Sequence, residues 1–234
     1  MPFDVQIINT GSSGNCNVID GCIMIDCGLK VKRIEKELET IDALLITHRH
    51  GDHLNNACIN YINKKRPWAL SNLIYTNPDV VQAIQKHNKL KTFSPRKANI
   101  FETGTEVVEI EAGGRLYTVQ CFICEHDVPN QGFIITNDQN ETLVFATDTA
   151  TMKHCPPGKF DYIVVEGNYD ENKVIDYLQS DNDEDRMRAI RNLRHLSVQQ
   201  LEDFIYHHSK ENTIVIQLHE SDAFGIRSLE NTEE

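Results

Sequence analysis

Thr47-His48-Arg49-His50-Gly51-Asp52-His53 follows directly on the apolar run Ala43-Leu44-Leu45-Ile46, and this junction decides how the chain is read. An apolar strand that ends in three histidines and an aspartate gathers nitrogen and oxygen donors where a sheet meets solvent. His48 and His50 share a face while the chain is still extended, because side chains two apart point the same way. Asp52 and His53 follow Gly51, which is expected to let the chain turn and aim them at a second point nearby. The turn therefore reads as built for two ions. A solvated loop that merely happens to be rich in histidine is the bland alternative, and four donors at H-x-H-x-D-H spacing speak against it.

The chain has 234 residues, enough for one α/β domain with a sizeable core. Residues 1–226 are expected to form that single domain and residues 227–234 a frayed tail. With 40% hydrophobic and 25% charged residues the composition is that of a globular protein. No apolar run approaches the roughly 18 residues of a membrane span. Met1-Pro2-Phe3-Asp4 lacks the basic start and apolar stretch of a secretory leader, so a cytoplasmic location is expected. The seven cysteines, an odd number in dispersed positions, read as reduced thiols, and Cys121-Phe122-Ile123-Cys124 as structural, since it sits in a β-like run without a second pair. A formal charge of −12 disfavours a long grip on nucleic acid through many phosphates, although divalent ions would restore positive potential at the site.

Outward from the metal turn, the pattern alternates strands and helices. Val5 to Asn9 reads as a half-buried strand, and Asp20-Gly21 as the turn of a hairpin between Cys16–Ile19 and Cys22–Ile25. The hairpin delivers Asp26, which is either a turn acid or a brace for the metal loop. Lys30 to Leu38 reads as a short helix, Ile41 to Thr47 as the strand bearing the turn, and Leu54 to Ile62 as an amphipathic helix. Trp68 to Tyr75 is expected as a strand, and Asn77-Pro78-Asp79 as the cap of a helix over Val80 to His87. Residues 88–104 read as loop with some strand. Strands are expected at Val107–Ile110, Leu116–Ile123, Gly132–Thr136, Thr142–Ala146, Tyr162–Val165 and Thr213–Leu218. Helices are expected at Lys173–Leu178 and Asp185–Leu193, joined by a solvated acidic run, and after the capping-box spacing Ser197-Val198-Gln199-Gln200. Two strand-rich halves with intervening helices suit a sheet-on-sheet sandwich with helices outside.

Of the ten histidines, His87, His154, His207 and His208 lie in polar or helix-end surroundings and receive no role. His126, Asp148 and His219 each directly follow an apolar strand, as the metal turn does. The order H-x-H-x-D-H, then His, then Asp, then His resembles the signature of the metallo-β-lactamase fold, an αββα sandwich, over about residues 5 to 220. The resemblance implies that His48, His50 and His126 hold one ion, that Asp52, His53 and His219 hold the other, and that Asp148 bridges them. The ions would be zinc, with manganese as the alternative. In that family an acid at the place of Asp26 braces the metal loop. An aspartate at the bridging position resembles the phosphodiesterase and nuclease branches rather than the true β-lactamases, which typically carry cysteine there.

Gly11-Ser12-Ser13-Gly14-Asn15, Thr147-Asp148-Thr149, Glu166-Gly167-Asn168 and His195-Leu196-Ser197 are similar to the pattern of YycJ-type nucleases and of phage-encoded relatives that cleave cyclic nucleotides. Glu166 and His195 occupy the places of a proton-transfer pair in related tRNA 3′-processing enzymes, although Arg194 stands where such relatives often have glycine. The resemblance thus implies a phosphodiesterase in which a hydroxide bridging two ions attacks, with Asp52, Glu166 and His195 as the catalytic set. Its substrate would be a cyclic mononucleotide or the end of a nucleic acid; no membrane partner is expected, and a homodimer is left open. A thioester or lactone hydrolase of the same fold, or a metal-stabilised interaction module, are the competing readings.

Overall fold

Strands that are apolar on both faces demand cover on both sides, and this chain meets the demand by stacking two sheets with helices outside. The computed structural model describes residues 2–87, 90, 93–96 and 99–219. In the first sheet β1 (Val5–Asn9), β2 (Cys16–Ile19), β3 (Ile23–Ile25), β4 (Ala43–Leu45) and β5 (Ile74–Tyr75) lie side by side in that order. The second comprises β6 (Val107–Ala112), β7 (Arg115–Cys124), β8 (Asn130–Thr136), β9 (Thr142–Ala146), β10 (Phe160–Glu166) and β11 (Ser209–Leu218), again in chain order. This is the α/β sandwich expected from the sequence.

Two-residue periodicity divides the core. Ile23, Ile25, Ala43 and Leu45 face the second sheet, where Phe133, Phe145 and Val164 meet them, while Met24 and Leu44 face outward. The outward face is covered by α1 (Val31–Thr40), α2 (Asn56–Lys65), α3 (Leu70–Leu73) and α4 (Pro78–His87) through Ile34, Leu38, Ile62 and Ile84. Across the molecule α7 (Val198–His208) lays Leu201 and Phe204 on Phe122, Val144 and Ile163 of the second sheet. Between β10 and α7 stand α5 (Glu171–Leu178) and α6 (Asp183–Asn192), a helical pair with a small core of its own formed by Tyr169, Val174 and Ala189.

Strand direction places the functional ends. β9, β10 and β11 run parallel, and β7 runs with them because β8 is antiparallel to both of its neighbours. The residues after β7, β9, β10 and β11 therefore emerge at one edge, next to the end of β4 from the other sheet.

Local signals explain most boundaries. Ser197 accepts from Gln200 N and the Gln200 side chain accepts from Ser197 N, the reciprocal capping box that its spacing announces. Asn77 Oδ1 accepts from Val80 N at 3.0 Å and starts α4. The acidic run is less a linker than a helix start: Asn182 caps α6 and Asp183, Glu184 and Asp185 fill its first turn, where negative charge suits the helix dipole. Two expectations are corrected. Trp68 to Tyr75 is not one strand; the short helix α3 precedes a two-residue β5, and Trp68 is 76% exposed rather than packed. The strand carrying the metal turn is confined to Ala43–Leu45, although Ile46 N still donates to Tyr75 O just beyond its end. Parts of the 88–104 loop and the whole of the 227–234 tail lie outside the described residues. The cysteines are free. Cys121 and Cys124 face opposite sides of β7, one toward the inter-sheet core and one toward α7, so they cannot pair with each other. No helix among the described residues is long and apolar enough to cross a membrane.

Candidate metal centre

The turn after β4 is held by one buried carboxylate. Asp26 accepts from Thr47 N at 2.8 Å and from the Thr47 hydroxyl, and its Oδ2 lies 2.7 Å from His53 Nδ1. His53 Nδ1–H must donate there, so Nε2 keeps its lone pair for the cavity. The Thr47 hydroxyl spends its proton on Asp26 and accepts from His48 Nδ1 at 3.0 Å, which likewise frees His48 Nε2. One acid thus sets the tautomers of two imidazoles.

Gly51 does not do what its position predicts. A Cβ there would meet nothing within 4 Å, and its backbone does not enter the left-handed region. The close approach is at Gly28, where a Cβ would stand 1.7 Å from Asp52 O. Here Cys27 N donates to His53 O, Gly28 N to Asn15 O and Asn15 N to Asp52 O, so three loops lock together behind the turn.

Three donor sets converge at the strand edge, and within each the donor atoms lie within 4.8 Å of one another. His48, His50 and His126 make the first: His50 Nδ1 is 3.1 Å from His48 Nε2 and 3.3 Å from His126 Nε2. His48, His53 and Asp148 make the second, with Asp148 Oδ2 2.6 Å from His53 Nε2 and 3.6 Å from His48 Nε2. The third is Asp148, Glu166, His195 and His219. Asp148 Oδ1 is 2.8 Å from His219 Nδ1 and 3.3 Å from His195 Nδ1, while Glu166 Oε2 is 3.0 Å from His195 Nδ1 and 3.4 Å from His219 Nδ1.

Asp52 stands beside these sets rather than within one, its Oδ2 3.8 Å from His53 Nε2. His219 meets Asp148 and Glu166. His195 Nδ1 lies close to the bridging aspartate as well as to Glu166.

These groups fit divalent cations. Asp148 Oδ1 and His219 Nδ1 are close, yet both are buried without a partner in hydrogen-bonding geometry, and a cation would supply each with one. Electrostatics divide the imidazoles into neutral and charged ones. Burial, then the neighbouring His53, holds His48 well below the usual imidazole range, which keeps it neutral and able to ligate. Burial opposes charge on His195 and His219, but Asp148 and Glu166 outweigh it and raise them to about 10 and about 9. Burial also works against charge on Asp148, yet His195, His219 and His53 hold its carboxyl well below the usual range. Strain concentrates here as well: Asp26, Asp148 and His219 all adopt left-handed backbone angles, with φ of 62°, 53° and 51°.

Sequence reasoning missed the amides that position these loops. Asn130 Nδ2 donates to Thr147 O and Asp148 O, Asn168 Nδ2 to His219 O, Asn77 Nδ2 to Thr47 O, and Gln131 Nε2 to Ile46 O. Their one legible signal was placement at strand ends. Asp127 was also passed over; its Oδ1 lies 3.1 Å from His126 Nε2 and 3.5 Å from His50 Nε2.

Beside His126 and Asp127 opens a cleft of about 880 Å³, lined by Asp79, Phe101, Glu102, Ile123 and Glu125 among others. Three of its acids are paired with basic side chains: Asp79 with Arg49 at 3.2 Å, Asp127 with Arg194 at 3.3 Å, and Glu125 with Lys153.

Comparison with known proteins adds relatives to this geometry. Residues 22–213 match the family described as Beta-lactamase superfamily domain. Exodeoxyribonuclease WalJ of Streptococcus pneumoniae, from serotype 2 strain D39 and from strain R6 alike, is 25% identical over 238 residues, covering 91% of this chain and 84% of its own. Among solved structures, the short form of human tRNase Z superposes with a TM-score of 0.61 at 15% identity, over 93% of this chain and 92% of its own. The metallo-β-lactamase fold protein YhfI from Bacillus subtilis does so with 0.60 at 18%, over 97% and 89%. Those two likenesses establish the shared fold.

Proposed function

The chain belongs to the β-lactamase superfamily, and from that premise we propose that it is a metal-dependent phosphodiester hydrolase acting on nucleotides or nucleic acids. The observation that carries the reading is the position of Asp148, whose two oxygens face different donor sets, Oδ2 toward His53 and His48 and Oδ1 toward His219 and His195. In this reading His48, His50 and His126 hold one cation, Asp52, His53 and His219 hold a second, and Asp148 serves both. Zinc suits the mixed imidazole and carboxylate donors, and manganese is the alternative. Bound cations supply an acidified water at neutral pH and neutralise the phosphoryl oxygens.

The chain's own side chains do the rest. Glu166, wholly buried, fixes His195 through Nδ1, and this leaves His195 Nε2 to hold a proton for the leaving oxygen or to bind a phosphoryl oxygen. Glu166 Oε1 also accepts from Thr149 N and Leu196 N, so the pair cannot drift from the bridging aspartate.

The WalJ relatives favour a nucleic-acid substrate. A cyclic mononucleotide is the second reading, favoured by the bounded cleft of about 880 Å³ and the charge of −12.

The test is a product panel. Metal-loaded protein is incubated with single- and double-stranded DNA, RNA, cyclic mononucleotides, bis(p-nitrophenyl) phosphate and a thioester. Phosphodiester cleavage is expected, and Asp148→Ala should lower it by more than about 100-fold with the circular dichroism unchanged. Turnover of the thioester alone, or near-normal phosphodiester turnover by Asp148→Ala, would sink the reading.

A further inference from the structure

The pair α5 and α6 forms an arm inserted between the strand that ends at Glu166 and the turn that carries His195. It is rooted beside the catalytic pair: Asn168 N donates to Leu196 O and Val198 N to Tyr169 O, both at 2.8 Å. Whatever engages the arm is therefore registered against the metal centre.

α6 segregates its charge. Its first turn carries Asp183, Glu184 and Asp185, and from there toward the site every charged residue is an arginine, at 186, 188, 191 and 194. Arg186 is spent on Asp183 and the Ser180 carbonyl. Arg188 and Arg191, both exposed, have no ion pair among the described residues. Three residues apart, they stand one above the other, about 4.5 Å along the axis. Arg194, paired with Asp127 at 3.3 Å, continues the line past the helix end. Beside it runs a second row, Met187, Ile190 and Leu193, exposed at 55%, 45% and 45%.

Large apolar side chains left in water in a regular row, flanked by guanidiniums, offer a single nucleic-acid strand both charge and dry contact, although the row holds no aromatic ring. The cations meet phosphates, and the apolar row meets base faces. Both rows end at the site, where Leu193 and Arg194 line a cavity of about 360 Å³ with His126 and Asp127. In a chain with a formal charge of −12, a local positive row of this kind is matched to a polyanion at only a few points.

We propose that the exposed face of α6 is a docking stripe for the single-stranded end of a nucleic acid, which it leads to the metal centre; this rests on the phosphodiesterase reading and names its substrate as a polymer. Contacts to Arg188 and Arg191 hold nucleotides beyond the scissile bond, so they act on polymer binding and not on the chemical step.

The test compares the full-length, metal-loaded protein with its Arg188→Gln/Arg191→Gln variant. Binding of a fluorescent oligothymidylate with phosphorothioate links is followed by anisotropy across a salt series, and bis(p-nitrophenyl) phosphate hydrolysis is measured in parallel. The variant should bind about tenfold more weakly, and its slope of log Kd against log salt should fall by about 1.4, or 0.7 for each lost phosphate contact. Hydrolysis of the small ester should not change. An unchanged Kd and slope overturn the stripe, as does an equal loss on the small ester, which would mean that the substitutions disturb the site. If light scattering shows instead that the variant dissociates a dimer while its oligonucleotide affinity stays the same, α6 is a protein–protein surface and the proposal falls. Failure of the unsubstituted protein to cleave any phosphodiester overturns the activity reading, whereas the anisotropy comparison still decides whether the stripe binds a strand.

Discussion

His195 meets both Glu166 and Asp148 through Nδ1, so the ring is oriented by two acids at once and its other nitrogen is the one available to substrate. For an ester with a poor leaving group, His195→Ala is expected to slow cleavage by roughly 10²- to 10⁴-fold, the range for loss of a general acid, with metal content unchanged. The defect should shrink with p-nitrophenyl esters, whose leaving group needs little protonation. A loss of metal in this variant would make His195 a ligand. Asp26 works one layer further out. Asp26→Asn preserves an acceptor for Thr47 N but can present an amide donor to His53 Nδ1, which would drive the proton to Nε2 and turn a ligand into a donor aimed at Asp148. Metal affinity should fall by about 10- to 100-fold, measured by competition with a chromogenic chelator, and an unchanged affinity would mean that Asp26 only holds the backbone of the turn.

The element that fixes the ligands is less the strand β4 than the knot of loops behind it. Gly28 admits no side chain, because a Cβ would overlap Asp52 O at 1.7 Å and stand 2.9 Å from Asn15 N, whereas Gly51 has open space. Gly28→Ala should therefore destabilise the protein by about 1 to 3 kcal/mol or more, as overpacking does, and weaken metal binding. Gly51→Ala should leave both nearly untouched. Thermal denaturation and metal titration of the two variants check this, and equal behaviour would show that the loops are free to separate. The contrast also shows how far sequence reaches at this scale. Gly51 was conspicuous because it interrupts the donor motif, but the demand for glycine arises from a contact between residues 24 positions apart, which no local pattern displays. Trp68 to Tyr75 misleads for a related reason. Its apolar residues fit a strand, yet Leu70 and Leu73 pack on the outer face of the first sheet from a single helical turn.

Across the whole molecule, the centre joins the two sheets. His48, His50 and His53 follow β4 of the first sheet, whereas His126, Asp148, Glu166 and His219 end or follow β7, β9, β10 and β11 of the second. This arrangement was legible because each donor directly follows an apolar strand, and parallel strands bring such ends to one edge. The grouping within the edge was not, since the approach of His195 to Asp148 depends on how the arm of α5 and α6 returns the chain. The same cross-sheet placement would make bound metal part of the fold. Cations bound here would tie together the closely opposed imidazoles and the unpartnered Asp148 Oδ1 and His219 Nδ1, adding to the Gln131 hydrogen bond to Ile46 O that already joins the two edges. A cation present at 100 times its dissociation constant stabilises the native state by about 2.7 kcal/mol. At roughly 2 to 4 °C per kcal/mol for a chain of this size, chelation should lower the melting temperature by about 5 to 10 °C, and added zinc or manganese should restore it. Elemental analysis of the restored protein should return about two ions per chain. The His48→Ala/His50→Ala protein should respond less to chelator, because the proposed site of His48, His50 and His126 is already lost. A chelated protein that melts at the same temperature as the loaded one would show that the two sheets hold this edge together without metal.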